Sequence, residues 1–134
     1  MNDPKILIVE DDDSIRETLQ SLLDFVGLPA RWATHAQEAI DTITHLLAEK
    51  LTLPSVIVVD GRLPDMHGLE LIRILRQKLP NETAIYLFSA DSHMAGPSLN
   101  PNSGLRIDGF IAKPFDADEF VGILTQHVAD SHIA

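Results

Sequence analysis

The sequence predicts an α/β fold, a (βα)5 parallel sheet with helices on both faces. Three observations carry this. Short apolar runs alternate with stretches of helical periodicity, and strands alternating with helices imply a covered parallel sheet. The runs KILIV (residues 5–9) and VIVVD (residues 56–60) are rich in Val and Ile and unbroken by polar residues until their ends. Runs of this kind mark strands buried on both faces. Both end abruptly in acid, at Glu10-Asp11 and at Asp60. In open sheets of this class ligands bind at the carboxyl edge of the strands.

The elements follow in order. After KILIV, Ser14 and Glu17 fit a capping box ahead of an apolar pattern. Ile15, Leu19, Leu22, Leu23 and Val26 recur at helical spacing, and Gly27 with Pro29 ends that helix. Ala30 to Ala33 is a weak strand around Trp32. Thr34 and Gln37 form a second capping-box pair before Ala36, Ala39, Ile40, Ile43, Leu46 and Leu47. The central strand closes at Asp60 and runs into Gly61-Arg62-Leu63-Pro64-Asp65, a loop by its Gly and Pro content. Leu69, Ile72, Leu75 and Leu79 mark a third helix that Pro80 stops. Residues 84–88 (AIYLF) are a fourth strand closing at Ser89-Ala90.

Residues 91–108 break the pattern. Gly96, Pro97, Asn100, Pro101, Asn102 and Gly104 leave no helical periodicity, with room for one short turn at Ser92 to Ala95. Phe110 to Ala112 resumes as a fifth strand and reaches Lys113-Pro114. Asp116 and Glu119 cap a last helix with Phe120, Ile123, Leu124 and Val128 on its apolar side, and residues 129–134 read as a frayed end. The expectation is one domain over residues 1–134, with its core in 5–128.

Composition narrows the function classes. The chain has 134 residues, 45% of them apolar and 22% charged, an ordinary soluble balance. It has no cysteine, which excludes a disulfide scaffold, a thiolate metal site and a cysteine nucleophile. No apolar stretch approaches the roughly 20 residues of a membrane helix, and no signal peptide is visible. A cytoplasmic protein that binds no membrane is the expectation. The net charge of −10 argues against direct nucleic-acid binding, which needs a basic face. No G-x-G-x-x-G or G-K-[ST] motif appears, against dinucleotide and P-loop enzymes.

Because the loops that follow the strands share one edge, Glu10, Asp11, Asp60, Ser89 and Lys113 should converge. Crowded carboxylates repel and need a cation, and hard oxygen ligands suit Mg2+, Mn2+ or Ca2+. A hydroxyl and an ammonium opposite would donate to an anion. The set makes a phosphoryl site, and an Asp carboxylate is a known covalent phosphate acceptor. Each member also has a plain reading. Asp12 and Asp13 read as a solvated acidic turn, and Lys113 alone would be a surface lysine.

The ordered motifs resemble the receiver domains of two-component response regulators: ILIVEDD at the first strand, D-x-x-LP-x-M-x-G from Asp60 to Gly68, FSA at the fourth strand and KPF from Lys113 to Phe115. The resemblance covers residues 5 to 128. It implies the flavodoxin-like strand order 2-1-3-4-5 and a set of roles. Asp60 matches the phosphoacceptor, Asp11 the direct metal ligand, Glu10 the water-mediated one, and the backbone carbonyl of Arg62 the third protein oxygen on Mg2+ or Mn2+. Ser89 matches the switch hydroxyl and Lys113 the lysine that contacts the phosphoryl group. The Lys113-Pro114 bond matches one that is cis in the family. Phe110 matches the aromatic switch position, whose plain reading is a core Phe. Arg62 and Asp91 match positions that modulate phosphate lifetime, and an interaction between them across the pocket mouth is expected.

The implied activity is not that of an enzyme on other substrates. It is self-phosphorylation from phosphohistidine or small donors, followed by autodephosphorylation. The implied partners are a sensor histidine kinase or phosphotransfer protein and a downstream effector or output domain, with a phosphorylation-linked homodimer common in the family. The departure is the segment between the fourth and fifth strands. The family places a regular helix there, and here an irregular loop is expected from about Ala95 to Arg106. Two other classes stand beside the switch. One is a pseudo-receiver acting as a constitutive protein-protein interaction module. The other is an Asp-nucleophile phosphatase, for which D-x-D is expected where this chain has Arg62.

Overall fold

Among the described residues five short strands pair in the order β2-β1-β3-β4-β5, all parallel. They are β1 (Ile6–Val9), β2 (Arg31–Ala33), β3 (Val56–Asp60), β4 (Ala84–Ser89) and β5 (Gly109–Ala112). Among the described residues four helices connect or follow them: α1 (Asp13–Val26), α2 (Ala36–Ala48), α3 (Gly68–Lys78) and α4 (Ala117–Asp130). The computed structural model describes residues 4–90 and 105–130. This is the flavodoxin-like (βα)5 order that the resemblance implies.

The uniform apolar runs have a direct cause. Successive residues of a strand point to opposite faces, and both faces are covered here. Leu7, Val9, Ile57, Val59, Ile85 and Leu87 pack with Ile43 and Leu46 of α2 and with Leu71, Ile72 and Leu75 of α3. Ile6, Ile8, Val56, Val58 and Phe88 pack on the other face with Leu19 and Leu23 of α1 and with Phe120 and Leu124 of α4. β3 lies between β1 and β4, in register Val59 to Val9 and Asp60 to Phe88. Its position delivers Asp60 to the middle of the carboxyl edge.

Helix ends differ from expectation in three places, two of them at N-termini. Asp12, not Ser14, is the N-cap of α1. Its carboxylate accepts from the Ile15 amide at 2.9 Å, and Ser14 lies within the helix. Asp caps as well as Ser does, so the helix starts at the earlier acceptor. At α2 the Thr34–Gln37 pair does not form. Thr34 bonds Glu38 instead, and the open amides of Ala36 and Gln37 are met by Asp65 from the β3–α3 loop. Other ends match. Gly27 takes the left-handed conformation at φ 78°, with Leu28 N–H bonded to the Leu23 carbonyl, the common glycine stop. Asp116 accepts from the Glu119 amide at 3.0 Å. Ala129 and Asp130 belong to α4 rather than to a frayed end.

Residues Leu105 to Asp108 carry neither helix nor strand. Asp91 to Gly104 lie outside the described residues. So do the short turn at Ser92 to Ala95, most of the irregular loop and residues 131–134.

Candidate functional site

The carboxyl edge of the sheet gathers side chains from β1, β3, β4 and β5. Glu10 follows β1 and is fully buried. Its backbone amide reaches the Ala33 carbonyl at 2.9 Å, its Oε2 accepts from the Asp12 amide at 3.1 Å, and Arg16 donates to its carbonyl at 3.0 Å. Asp11, next along the chain, is exposed. Asp60 ends β3 and is 6% exposed, with Oδ1 accepting from the Arg62 amide at 3.2 Å. Oxygens of Glu10, Asp11 and Asp60 lie within 4.8 Å of one another.

Lys113 faces this cluster from the end of β5. Its Nζ is 2.9 Å from Glu10 Oε1 and 3.1 Å from Asp60 Oδ1. The ammonium also lies over the Phe88 ring, 4.7 Å from its centroid, a cation–π contact. Phe88, Phe115 and Phe120 form a mutually packed aromatic group beneath it. Lys113 N–H bonds the Ser89 carbonyl at 3.1 Å, and the Lys113-Pro114 bond is cis. Glu10, Asp11, Asp60, Arg62, Ser89 and Lys113 line an open cleft of about 420 Å³.

The electrostatics follow from burial and crowding. Asp60 titrates above its ordinary value, first because it is buried and next because Glu10 is beside it. Asp11, though exposed overall, is also raised, first by the partial loss of water around its carboxyl and then by Asp60. For Lys113 burial alone would lower the value, but the carboxylates of Glu10 and Asp60 outweigh it and hold the ammonium protonated. One ammonium therefore faces three carboxyl groups at this edge.

The residues fit a hard divalent cation. Three carboxylates converge, and their oxygens suit Mg2+ or Mn2+. Glu10 Oε1 is sealed from solvent and, although near Lys113, makes no hydrogen bond of good geometry. It therefore has capacity for a further positive partner.

The edge thus gathers Glu10, Asp11, Asp60, Ser89 and Lys113, the five residues expected to converge there, and Arg62 lines the same cleft. Phe110 is half-buried on the α2/α3 side of β5, packed against that core. Asp91, and with it the expected contact to Arg62, lies outside the described residues. Three residues that bear on the site escaped sequence reasoning: Arg16, Asp65 and Phe88. Arg16 and Phe88 look like ordinary helix and core residues. Asp65 had a signal, an acid at the tip of the loop after Asp60, but nothing local named its distant partner.

The family model described as "Response regulator receiver domain" matches residues 6–125. The chain belongs to this family. Among the relatives it matches is the DNA-binding transcriptional regulator NtrC of Proteus hauseri, 30% identical over 128 residues, which are 96% of this chain and 25% of that protein. The chain spans between 24% and 51% of the first curated relatives' length. Among solved structures, the signal receiver domain of an HD domain-containing protein from Pseudomonas fluorescens Pf-5 superimposes with a TM-score of 0.76 at 25% identity, covering 99% of this chain and 100% of the other. A further neighbour is the receiver domain of sensor histidine kinase PA1611 from Pseudomonas aeruginosa PAO1, solved with a magnesium ion coordinated in its active site cleft. It has a TM-score of 0.75 and 21% identity, and covers 96% of this chain and 99% of its own. At that identity the likeness speaks for the fold. This chain is therefore a response regulator receiver domain of two-component signalling, a class of phosphoacceptors rather than enzymes acting on other substrates. No helix among the described residues is long and apolar enough to cross a membrane.

Proposed function

We propose that this receiver domain is a phosphorylatable switch with Asp60 as the acceptor. The observation that carries the reading is Lys113 set between Glu10 and Asp60 at the mouth of an acidic cleft, each residue closing a different strand. The donor is phosphohistidine on a sensor kinase or phosphotransfer protein. A carboxylate oxygen of Asp60 attacks phosphorus, a P–O bond forms and the P–N bond breaks. The imidazole nitrogen leaves with its electron pair and takes a proton from solvent. Asp60 must be ionised to attack, and Lys113 offsets the charge it carries there.

Asp11, Asp60 and the Arg62 carbonyl would hold Mg2+ or Mn2+ directly, and Glu10 through water. When bound, the cation neutralises the carboxylates and the oxygens of the incoming phosphoryl group. Ser89, at the end of β4, donates its hydroxyl to a phosphoryl oxygen, and Lys113 contacts another. Phe110 turns inward as Ser89 moves. Arg62 lines the cleft, and it and the position of Asp91 in the motif modulate the lifetime of the phosphate. A downstream partner or an output domain reads the changed surface.

The test is binding of beryllofluoride, a phosphoryl mimic, in the presence of Mg2+. Amide resonances of Ser89 and Lys113 should shift in the wild type and stay in place in Asp60→Asn. No shift in a folded wild type would sink the switch and favour a constitutive interaction module.

A further inference from the structure

α2 begins without a cap of its own. Its N-cap residue, His35, is extended, and its side chain makes no capping bond. The first amides of a helix need acceptors from elsewhere. Here Asp65 supplies both. Its Oδ1 accepts from the Ala36 amide at 2.9 Å and its Oδ2 from the Gln37 amide at 2.9 Å. The positive end of the helix favours that charge. Burial alone would raise the Asp65 carboxyl, but the bonds from Gln37 and Ala36 outweigh it and hold it below its usual range.

Asp65 sits at the tip of the loop that starts from Asp60, and the rest of that loop closes on itself. Leu63 N–H donates to the Met66 carbonyl at 3.2 Å, Gly68 N–H to the Gly61 carbonyl at 2.9 Å, and Arg62 bridges to His67. The loop is thus a stiff finger whose tip is tied to α2. A shift at the tip reaches Arg62 and Asp60 with little slack.

We propose that Asp65 is a positioning residue, whose two bonds to the start of α2 hold the 60–68 loop in the pose that presents Asp60 and the Arg62 carbonyl to a divalent cation. Its functional weight rests on the reading of Asp60 as an acceptor beside that cation. The competing account is that Asp65 merely caps α2.

Two variants of the full chain separate these accounts. Asp65→Ala removes cap and tie together. Adding His35→Ser supplies a local cap at an extended N-cap residue but no tie. If Asp65→Ala fails to fold, Asp65→Asn carries the same comparison. Three quantities are read: the urea midpoint, amide hydrogen exchange at Leu63 and Gly68, and the Mg2+ Kd by calorimetry. Asp65→Ala should lower the midpoint, speed exchange at both amides and weaken Mg2+ binding about tenfold, the scale of lost support behind a metal ligand. Adding His35→Ser should restore the midpoint and leave exchange and Kd at their altered values. Unchanged exchange in Asp65→Ala, or full recovery of all three in the double variant, overturns the inference. A wild type that binds no Mg2+, with exchange still altered in Asp65→Ala, overturns the cation reading and the functional weight given to Asp65. The two failures are thereby told apart.

Discussion

Lys113 is a single ammonium in contact with two carboxylates, and Asp60 is the one of the pair that the proposed phosphoryl transfer requires to react. Folding raises the Asp60 carboxyl above its ordinary value of 3.8, through burial first and Glu10 second. A carboxyl raised by folding is ionised at the expense of the native state. Its sign is therefore the reverse of an ordinary salt-bridged acid: the contribution of Asp60 to native stability is largest below 3.8 and is lost as pH rises through its folded pKa. Asp60→Asn removes that burden while Lys113 keeps Glu10 as a partner. The metal-free variant should be more stable than wild type at pH 7 by on the order of 1 kcal/mol, the scale of one relieved like-charge contact. The gain should shrink toward pH 4 in urea titrations, and equal or lower stability at pH 7 would contradict it. At this scale the sequence showed a great deal. Glu10, Asp11, Asp60, Ser89 and Lys113 stood out because each closes a strand. Asp65 did not, because its partners lie 28 and 29 residues away and no periodicity encodes such a contact.

The elements were legible where burial dictates composition. A strand covered on both faces must be apolar throughout, so β1, β3 and β4 announced themselves. Helix starts were less legible, because several acceptors compete within a few residues. Asp12 won over Ser14, and Asp65 replaced any local cap at α2. The junction of β3 and α3 depends on Gly68. A Cβ there would lie 2.3 Å from the Asp60 carbonyl oxygen and 2.9 Å from Gly61 Cα. Both neighbours are backbone atoms of the strand end and cannot yield without moving the acceptor. Gly68→Ala should therefore cost about 3 kcal/mol, the upper part of the range for overpacking. Chemical denaturation checks this, and an unchanged midpoint would contradict it. The glycine of D-x-x-LP-x-M-x-G thus has a stated physical reason: helix and strand approach too closely for a side chain.

For the whole molecule, periodicity gave five strands and four helices, with the stretch between the fourth and fifth strands left irregular, but not the order in which the strands pair. The apolar runs are chemically alike, and any of them could neighbour another. The order came from the family resemblance and is what the sheet shows. That order makes β3 central and places its end between those of β1 and β4, so residues from Glu10 to Lys113 meet in one cleft. In the function proposed above, this convergence serves transfer of a phosphoryl group to Asp60. The most direct measurement is the intact mass of the chain after incubation with Mg2+ and a small acyl phosphate donor, beside Asp60→Asn and a sample with chelator. One added phosphate on the wild type, absent from the variant and the chelated sample, is the predicted result. No added mass on a folded wild type, or a phosphate that persists in Asp60→Asn, would contradict the account.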